Sequence, residues 1–290
     1  MKYFVYIIFI SLFSLNGHFS LCQKNIIIYN ENMEPIPYVN VSMKNKGIGI
    51  HSNKNGEIAV DSRSYKGKFV FSKAGYQDTA IIIDANLNKI VLKNALIHSD
   101  DFGQIDGKRV FKLGEVHGEK YGVHTNSGKP EIYLKYFNSK EGVGYVIDNL
   151  KFKTTSDKNN AKVLIRLYAA NNKLKPGNYL YEKAIEVDVK IGERINKIDL
   201  SELNLRMPKY GLYVGLETLI IPENVYSYTE RNLLTDEISQ RNEYMPNYVL
   251  HKYRGDANDN SSSYIFIGGE FYNMNNKELR LAMELKLKRP

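Results

Sequence analysis

The sequence predicts an all-β protein that consists of two β-sandwich domains. Short apolar runs separated by turn residues recur about every ten residues in the first third of the chain. Later segments alternate apolar and polar residues with a period of two, which is the period of a strand with one buried face. Helical periodicity is nearly missing, and residues 231–239 are the best candidate for a short helix.

The first 22 residues have the order of a secretory signal peptide. Lys2 provides a positive charge, residues 3–15 form an apolar run, and a more polar stretch follows as far as Gln23. The apolar run is shorter than the roughly 20 residues of a membrane-spanning helix. Cleavage after Cys22 would place Ser20 and Cys22 at the −3 and −1 positions, so we predict an exported protein whose mature chain begins at Gln23.

Cys22 is the only cysteine, so a lipid anchor at this residue is an alternative to simple cleavage. Bacterial lipoprotein signals generally carry Gly, Ala or Ser before the modified cysteine, whereas Leu21 stands there. We therefore favour cleavage over a lipid anchor and over an uncleaved anchor. Without Cys22 the mature chain forms no internal disulfide, and its stability depends on core burial.

The mature chain contains no second apolar run that approaches a membrane span, and so we predict no transmembrane segment. Its expected location is the periplasm, the outer-membrane surface or the extracellular space. The formal net charge of +8 favours attraction to anionic envelope surfaces or glycans. The lysines are dispersed, so we predict no nucleic-acid partner; a generally basic, solvated surface is the alternative explanation of the charge.

Residues 24–96 form the first predicted domain. The segment 38–43 alternates clearly, with Val39, Val41 and Met43 on one face, and Asn55-Gly56 is a pair typical of tight hairpins. Roughly seven or eight short strands at this spacing indicate a sandwich. The other predicted strands are 25–29, 47–50, 57–60, 69–72, 79–83 and 89–92.

Four motifs of this domain occur in the order that a known family shows. They are Pro35-Ile36-Pro37-Tyr38-Val39-Asn40-Val41, Gly47-Ile48-Gly49, Ser52-Asn53 followed by Asn55-Gly56-Glu57, and Phe71-Ser72-Lys73-Ala74-Gly75-Tyr76. The series resembles the carboxypeptidase-regulatory-like domain of exported Bacteroidetes proteins. The resemblance implies a transthyretin-like (prealbumin-like) sandwich of seven strands and no peptidase activity. We expect Gly75 to adopt a conformation that a β-carbon would resist, and Tyr76 to pack over a sandwich edge.

Residues 97–111 are polar and rich in glycine, which is typical of a linker, and residues 112–290 form the second predicted domain. One-sided alternation predicts antiparallel sheets there, arranged as a sandwich of about eight strands with a jelly-roll or galactose-binding-like topology. This domain loosely resembles the usual C-terminal companion of the first domain, and we transfer no functional residue from it. Its predicted strands are 131–137, 144–153, 163–168, 185–191, 212–217, 264–272 and 279–287.

No common catalytic motif is present in the sequence. His-Glu-x-x-His, Gly-x-Ser-x-Gly and phosphate-binding glycine loops are absent. His117 and His124 would converge across a hairpin, although two unrelated surface histidines are the simpler interpretation. The carboxylates that we consider for a glycosidase pair, with solvated or salt-bridged side chains as the default, are Glu217, Glu223 and Glu270.

Two features of residues 222–262, a stretch that we predict to be irregular, indicate binding. Loops at the end of a sandwich commonly carry recognition, and tyrosines stack on sugars; packing of the loop onto its own sheet is the alternative. The candidate ligand-binding residues are Tyr226, Tyr228, Tyr244, Tyr248 and Tyr253. The candidate calcium ligands are Asp256, Asn258 and Asp259, whose segment lacks the EF-hand spacing and is otherwise an ordinary loop.

These features predict a non-catalytic cell-envelope or secreted protein that binds or scaffolds a glycan or protein partner through its second domain. The alternative is a carbohydrate-active enzyme whose acidic residues are assembled by that domain. Apart from the calcium candidate, no cofactor is expected.

Overall fold

A computed structural model describes residues 23–44, 46–61, 67–84, 86–102, 105, 110–126, 128–232, 234–252, 263–274 and 279–290. Within these ranges the regular elements are β-strands and two single-turn 3-10 helices, Ser201–Leu203 and Pro222–Asn224. The predicted all-β class is therefore confirmed. The predicted signal peptide, residues 1–22 with Cys22, lies outside the described residues.

Seven strands form two sheets in the N-terminal part of the chain. The sheet order is β4-β1-β7 in one sheet and β3-β2-β5-β6 in the other. β1 is antiparallel to β4 and parallel to β7. The strands are β1 (Gln23–Tyr29), β2 (Asn40–Met43), β3 (Gly49–His51), β4 (Glu57–Asp61), β5 (Lys68–Ser72), β6 (Thr79–Ile82) and β7 (Lys89–Val91).

Side chains of both sheets share one apolar core, which gives this part a sandwich-like arrangement. Ile26 and Ile28 of β1 are buried together with Val41 of β2 and with Phe69 and Phe71 of β5. Ile26 and Ile28, like Phe69 and Phe71, are two residues apart on one strand, because alternate residues of a strand point to the same face. Burial of each such side chain contributes about 1.5–3 kcal/mol to stability.

The remaining strands form two larger sheets and one hairpin. The first large sheet has the order β13-β12-β16-β10-β20-β21, with β14 beside β12. The second has the order β22-β19-β11-β23-β8, with β15 beside β11 and β9 beside β19, and β17 pairs with β18. These strands are β8 (Phe111–Glu115), β9 (Lys120–His124), β10 (Ile132–Phe137), β11 (Val146–Ser156), β12 (Ala161–Ala170), β13 (Pro176–Tyr179), β14 (Ile185–Val189), β15 (Gly192–Asp199), β16 (Leu212–Thr218), β17 (Val225–Arg231), β18 (Ile238–Tyr244), β19 (Asn247–Lys252), β20 (Tyr264–Ile267), β21 (Glu270–Asn273), β22 (Leu279–Leu281) and β23 (Met283–Lys288).

The two large sheets pack their apolar faces on each other. Val163 and Ile165 of β12 and Val214 of β16 face Phe152 of β11 and Leu285 of β23 in one buried cluster. The alternation that we used to predict strands therefore marks the face toward this core, but the opposite faces of β12 and β16 are buried as well, which one-sided burial did not predict. No helix in the described part of the chain has the length and apolar character that a membrane-crossing helix needs.

The predicted helix at 231–239 is wrong. Arg231 ends β17 and Ile238 begins β18, and the two residues are register partners in a hairpin. Asn232 shapes the turn, because its Oδ1 accepts a hydrogen bond from the Leu234 N–H at 2.9 Å. The prediction of an irregular stretch at 222–262 is likewise wrong over β17, β18 and β19. Both strands of the β17–β18 hairpin are largely polar on each face, so they lack the alternation that predicts a strand.

The run at 279–287 is divided into two strands at Ala282. Leu281 and Met283, which flank it, are both buried, and the Ala282 N–H donates to the Val249 carbonyl at 2.9 Å. Because β22 pairs with β19 and β23 pairs with β11, the chain changes its partner strand at this point.

The N-terminal sheets contact the larger sheets closely at Gly75. Its φ is +84°, and a β-carbon built on it would lie 1.9 Å from the Glu182 carbonyl oxygen. The expected conformation of Gly75 is therefore confirmed, and its physical cause includes a neighbour that lies 107 residues later in the chain. The His98 N–H also donates to the Tyr179 carbonyl at 2.7 Å, so part of the predicted linker pairs with β13.

Candidate binding surface and buried polar junction

Two of the five predicted ligand-binding tyrosines lie together on the β17–β18 hairpin. Tyr226 and Tyr228 are two residues apart on β17 and so share a face. Their ring centroids are 6.0 Å apart with an interplanar angle of 23°. The hairpin is a two-stranded sheet that pairs with no other described strand, and most of its residues are exposed or half-buried.

Charged groups lie on the same hairpin face as the two rings. Glu243 is the register partner of Tyr226, and Arg241 is that of Tyr228. The Tyr228 hydroxyl donates to Glu243 Oε1 at 2.9 Å, and this hydrogen bond raises the pKa of Tyr228. Arg241 Nε donates to Glu230 Oε2 at 2.9 Å. This face, which we call the tyrosine face, therefore combines two aromatic rings with two carboxylates and one guanidinium.

The other predicted tyrosines do not join the tyrosine face. Tyr244 is next to Glu243 in β18, so strand alternation places it on the opposite face of the hairpin, where it lines a cavity with Ile221. Tyr248 is only 2% exposed and belongs to the core of the large sheets. Its hydroxyl accepts a hydrogen bond from Thr218 Oγ1 at 2.8 Å. Tyr253 lies outside the described residues.

The predicted calcium ligands, Asp256, Asn258 and Asp259, also lie outside the described residues, so calcium binding stays a prediction. Elsewhere in the described chain, no group of three His, Cys, Asp or Glu side chains is arranged to hold a metal ion.

The predicted histidine pair is not brought together across a hairpin. His117 follows β8, which pairs with β23, whereas His124 ends β9, which pairs with β19. The His124 ring packs against Tyr133 with a centroid distance of 3.9 Å, and burial lowers the pKa of His124 to about 4. This is the environment of a packed, neutral imidazole.

The three predicted acids lie on three different elements. Glu217 is fully buried on β16, Glu223 is exposed in the second 3-10 helix, and Glu270 is exposed on β21. Glu217 has no exposed side-chain surface, so it does not share an open cleft with either of the other two. Glu217 has the salt-bridged environment that we took as the default for these carboxylates.

Glu217 and Arg166 form a buried ion pair, and both side chains are 0% exposed. Arg166 Nε donates to Glu217 Oε2 at 2.7 Å, and Nη2 donates to Oε1 at 2.9 Å. The contact is therefore bidentate, which is the strongest geometry for this pair of groups.

The N-terminal sheets supply most of the other partners of the ion pair, and the Tyr179 hydroxyl of β13 supplies one more. Asn40 Nδ2 donates to Glu217 Oε1 at 2.8 Å, and His51 Nε2 lies 2.9 Å from the same oxygen. Arg166 Nη1 donates to Ser72 Oγ at 2.9 Å. These residues belong to β2, β3 and β5, so the ion pair is the centre of a polar junction between the two parts of the chain.

The junction determines the protonation of its members. Burial alone would raise the pKa of Glu217, but the Arg166 charge and the hydrogen bonds from His51 and Asn40 outweigh it and lower the pKa to about 2. Burial lowers the pKa of His51. Because the Ile220 N–H donates to His51 Nδ1 at 2.9 Å, the neutral ring carries its proton on Nε2 and donates to Glu217.

Sequence reasoning did not identify Arg166, although a signal was present. Arg166 shares its strand face with Leu164 and Tyr168, and Glu217 shares its face with Tyr213 and Gly215. A charged residue among apolar neighbours on a central strand indicates a buried pair, because an isolated buried charge is costly.

Comparisons with known proteins identify no family. No family model and no curated protein sequence matches the chain. Among solved structures, BcpA, the major pilin subunit of Bacillus cereus, is 12% identical, with 92% of this chain and 85% of that chain covered and a TM-score of 0.20. The infectious bursal disease virus Gx strain structure is 10% identical, with coverages of 87% and 57% and a TM-score of 0.20. Similarity at this level carries no argument about function.

Proposed function

We propose that the chain is a non-catalytic exported protein that binds an envelope glycan through the tyrosine face. The observation that supports this most directly is the pair of nearly parallel rings of Tyr226 and Tyr228 beside Glu243 and Arg241. Sugar rings have apolar C–H faces and a rim of hydroxyl groups. Aromatic rings complement the former, and charged hydrogen-bonding groups complement the latter.

The buried junction supports a scaffolding role rather than catalysis. Glu217, which sequence analysis considered as a catalytic acid, already accepts hydrogen bonds from Arg166 and Asn40 and has no exposed surface. A buried polar network rigidifies the elements that it joins, and Glu217 here is held by Arg166, Asn40 and His51. In this proposal the N-terminal sheets hold the large sheets, and with them the hairpin, in one orientation toward the glycan. The proposed location, from the N-terminal sequence, is the periplasm, the outer-membrane surface or the extracellular space.

The experiment uses purified protein from Gln23 to the C-terminus on a glycan array and in sedimentation with insoluble envelope polysaccharide. We expect Tyr226→Ala/Tyr228→Ala to weaken glycan binding by about tenfold or more, because loss of an aromatic anchor typically costs over 1 kcal/mol. The matched control is Tyr121→Ala, since Tyr121 is 65% exposed on β9, outside the hairpin. The control should bind like the unchanged protein.

Full retention of binding by the double variant would refute the site, and an equal loss in Tyr121→Ala would indicate nonspecific adhesion of tyrosines. Capture of an envelope protein with no glycan binding would instead favour the protein-partner alternative. The Tyr226→Phe/Tyr228→Phe variant keeps both rings and should retain most of the affinity if stacking dominates.

A further inference from the structure

A groove of about 590 Å³ lies between the N-terminal sheets and the large sheets. Ile36, Ala74 and Tyr76 line it from one side, and Leu164 and Ala184 line it from the other. Its volume is within the range of roughly 300–1,000 Å³ that is usual for small-molecule sites, which are mostly apolar with a few polar groups. Neither ring of the tyrosine face lines this groove, so it is a separate site.

Lys73 is the buried charged residue of the groove. It is 8% exposed, and its ammonium donates one long hydrogen bond, 3.5 Å, to the Tyr38 carbonyl. The ammonium also lies 5.8 Å from the centroid of the Tyr38 ring. A lysine ammonium has three donors, so two of them find no acceptor among the described residues.

The carboxylates near Lys73 are engaged elsewhere. Glu217 receives the bidentate contact of Arg166, and Glu186 accepts a hydrogen bond from Lys162. Neither carboxylate forms an ion pair with Lys73 within the described part of the chain. Burial, together with the positive charge of Arg166, lowers the pKa of Lys73 to about 7. A buried ammonium without a counter-ion is unfavourable, and an anionic ligand would relieve that cost.

We propose that the groove binds a small apolar molecule that carries one carboxylate. The carboxylate would accept hydrogen bonds from Lys73, and the apolar body would lie along Ile36, Ala74 and Leu164. The rim carries charges of both signs, Glu182, Lys183 and Glu186, all on exposed residues. Among the residues that line the groove, Lys73 is the buried cation, so the groove matches a ligand with one carboxylate.

The test uses 11-(dansylamino)undecanoic acid and its uncharged methyl ester as fluorescent probes at pH 6.5. The unchanged protein should bind the acid about tenfold or more tightly than the ester, because a charge-assisted hydrogen bond distinguishes them. Lys73→Met keeps the packed stem and removes the charge, so it should bind the acid no better than the ester. The control, Lys183→Met at the exposed rim, should keep the preference for the acid.

Equal affinity for acid and ester in the unchanged protein would overturn the proposal, and this comparison does not depend on the folding of any variant. An unchanged preference in folded Lys73→Met would overturn it as well. N-acetyl-Ala-Ala-Leu and its C-terminal amide test a peptide as the ligand. Preference for the free acid, together with no binding of the dansyl acid, would overturn the small-molecule proposal in favour of a peptide C-terminus. Tyr226→Ala/Tyr228→Ala should leave probe binding unchanged, so the groove proposal and the tyrosine-face proposal are tested independently.

Discussion

Replacing Glu217 by Gln tests whether the buried junction stabilises the fold. The substitution keeps the shape of the side chain but removes its charge, and Arg166 then stays buried opposite a neutral amide. Arg166 would retain Ser72 Oγ at 2.9 Å and the Tyr179 hydroxyl at 3.2 Å as acceptors, neither of which is charged. The new NH2 group would also face another donor, the Asn40 amide on one side or the Arg166 guanidinium on the other.

The expected cost is about 3–5 kcal/mol, the usual range for removing one partner of a buried ion pair. No discount for solvent screening applies, since both side chains are 0% exposed. Urea unfolding followed by circular dichroism gives the free energy of unfolding. A shift of the midpoint at constant slope is a change of stability alone.

The double variant Arg166→Met/Glu217→Leu completes a double-mutant cycle with the single variants Arg166→Met and Glu217→Leu. It leaves no unpaired charge, so we expect it to lose less stability than Glu217→Gln, and its effect to fall well below the sum of the single substitutions. A cost of Glu217→Gln under about 1 kcal/mol would refute the reasoning, because such a value is typical of surface substitutions away from special features. Additivity of the two single substitutions would refute the coupling.

Two further predictions concern pH and the close approach at Gly75. The pKa of Glu217 falls from 4.5 to about 2 on folding, so its contribution of about 3 kcal/mol is present above pH 4.5 and is lost as the pH falls toward 2. The urea midpoint of the unchanged protein should therefore decrease as the pH falls through this window, and the midpoint of Glu217→Gln should decrease less. Gly75→Ala combines a positive φ with a β-carbon 1.9 Å from the Glu182 oxygen, whereas Gly192→Ala has a φ of +87° with nothing within 4 Å. The positive φ should lower the free energy of unfolding of both variants by about 1 kcal/mol. Gly75→Ala should lose clearly more stability than this, because its β-carbon also meets the Glu182 carbonyl.

Each of these predictions has an outcome that contradicts it. An acid transition of Glu217→Gln that superimposes on that of the unchanged protein would show that other groups control acid stability. Equal thermal midpoints for Gly75→Ala and Gly192→Ala would show that the contact with Glu182 adjusts at little cost.

Strand prediction succeeded where one face of a strand meets the core. Leu212, Val214 and Leu216 of β16 face the core cluster, and their spacing of two residues is visible in the sequence. It failed at β17 and β18, because neither face of that hairpin has a continuous apolar row. A polar hairpin is held by backbone hydrogen bonds, which every residue type except proline supplies, so its sequence resembles a loop.

The tyrosine candidates show the same limit at the level of side chains. Residue type and proximity in sequence placed Tyr226, Tyr228, Tyr244 and Tyr248 in one group. The structure keeps only Tyr226 and Tyr228 together, because the hairpin register turns Tyr244 to the other face and β19 carries Tyr248 into the core. Register and strand order depend on which strands pair with each other. A stretch that is predicted to be irregular has no predicted strand pairs, so its register could not be predicted.

The sequence by itself determined the all-β class and the core faces of the alternating strands. These features depend on local backbone geometry, which repeats every two residues and is readable from neighbours in the chain. Only the tertiary structure decided that Glu217 meets Arg166, 51 residues away, and His51, 166 residues away. Contacts at such separations depend on how whole sheets pack, and no local pattern carries that information.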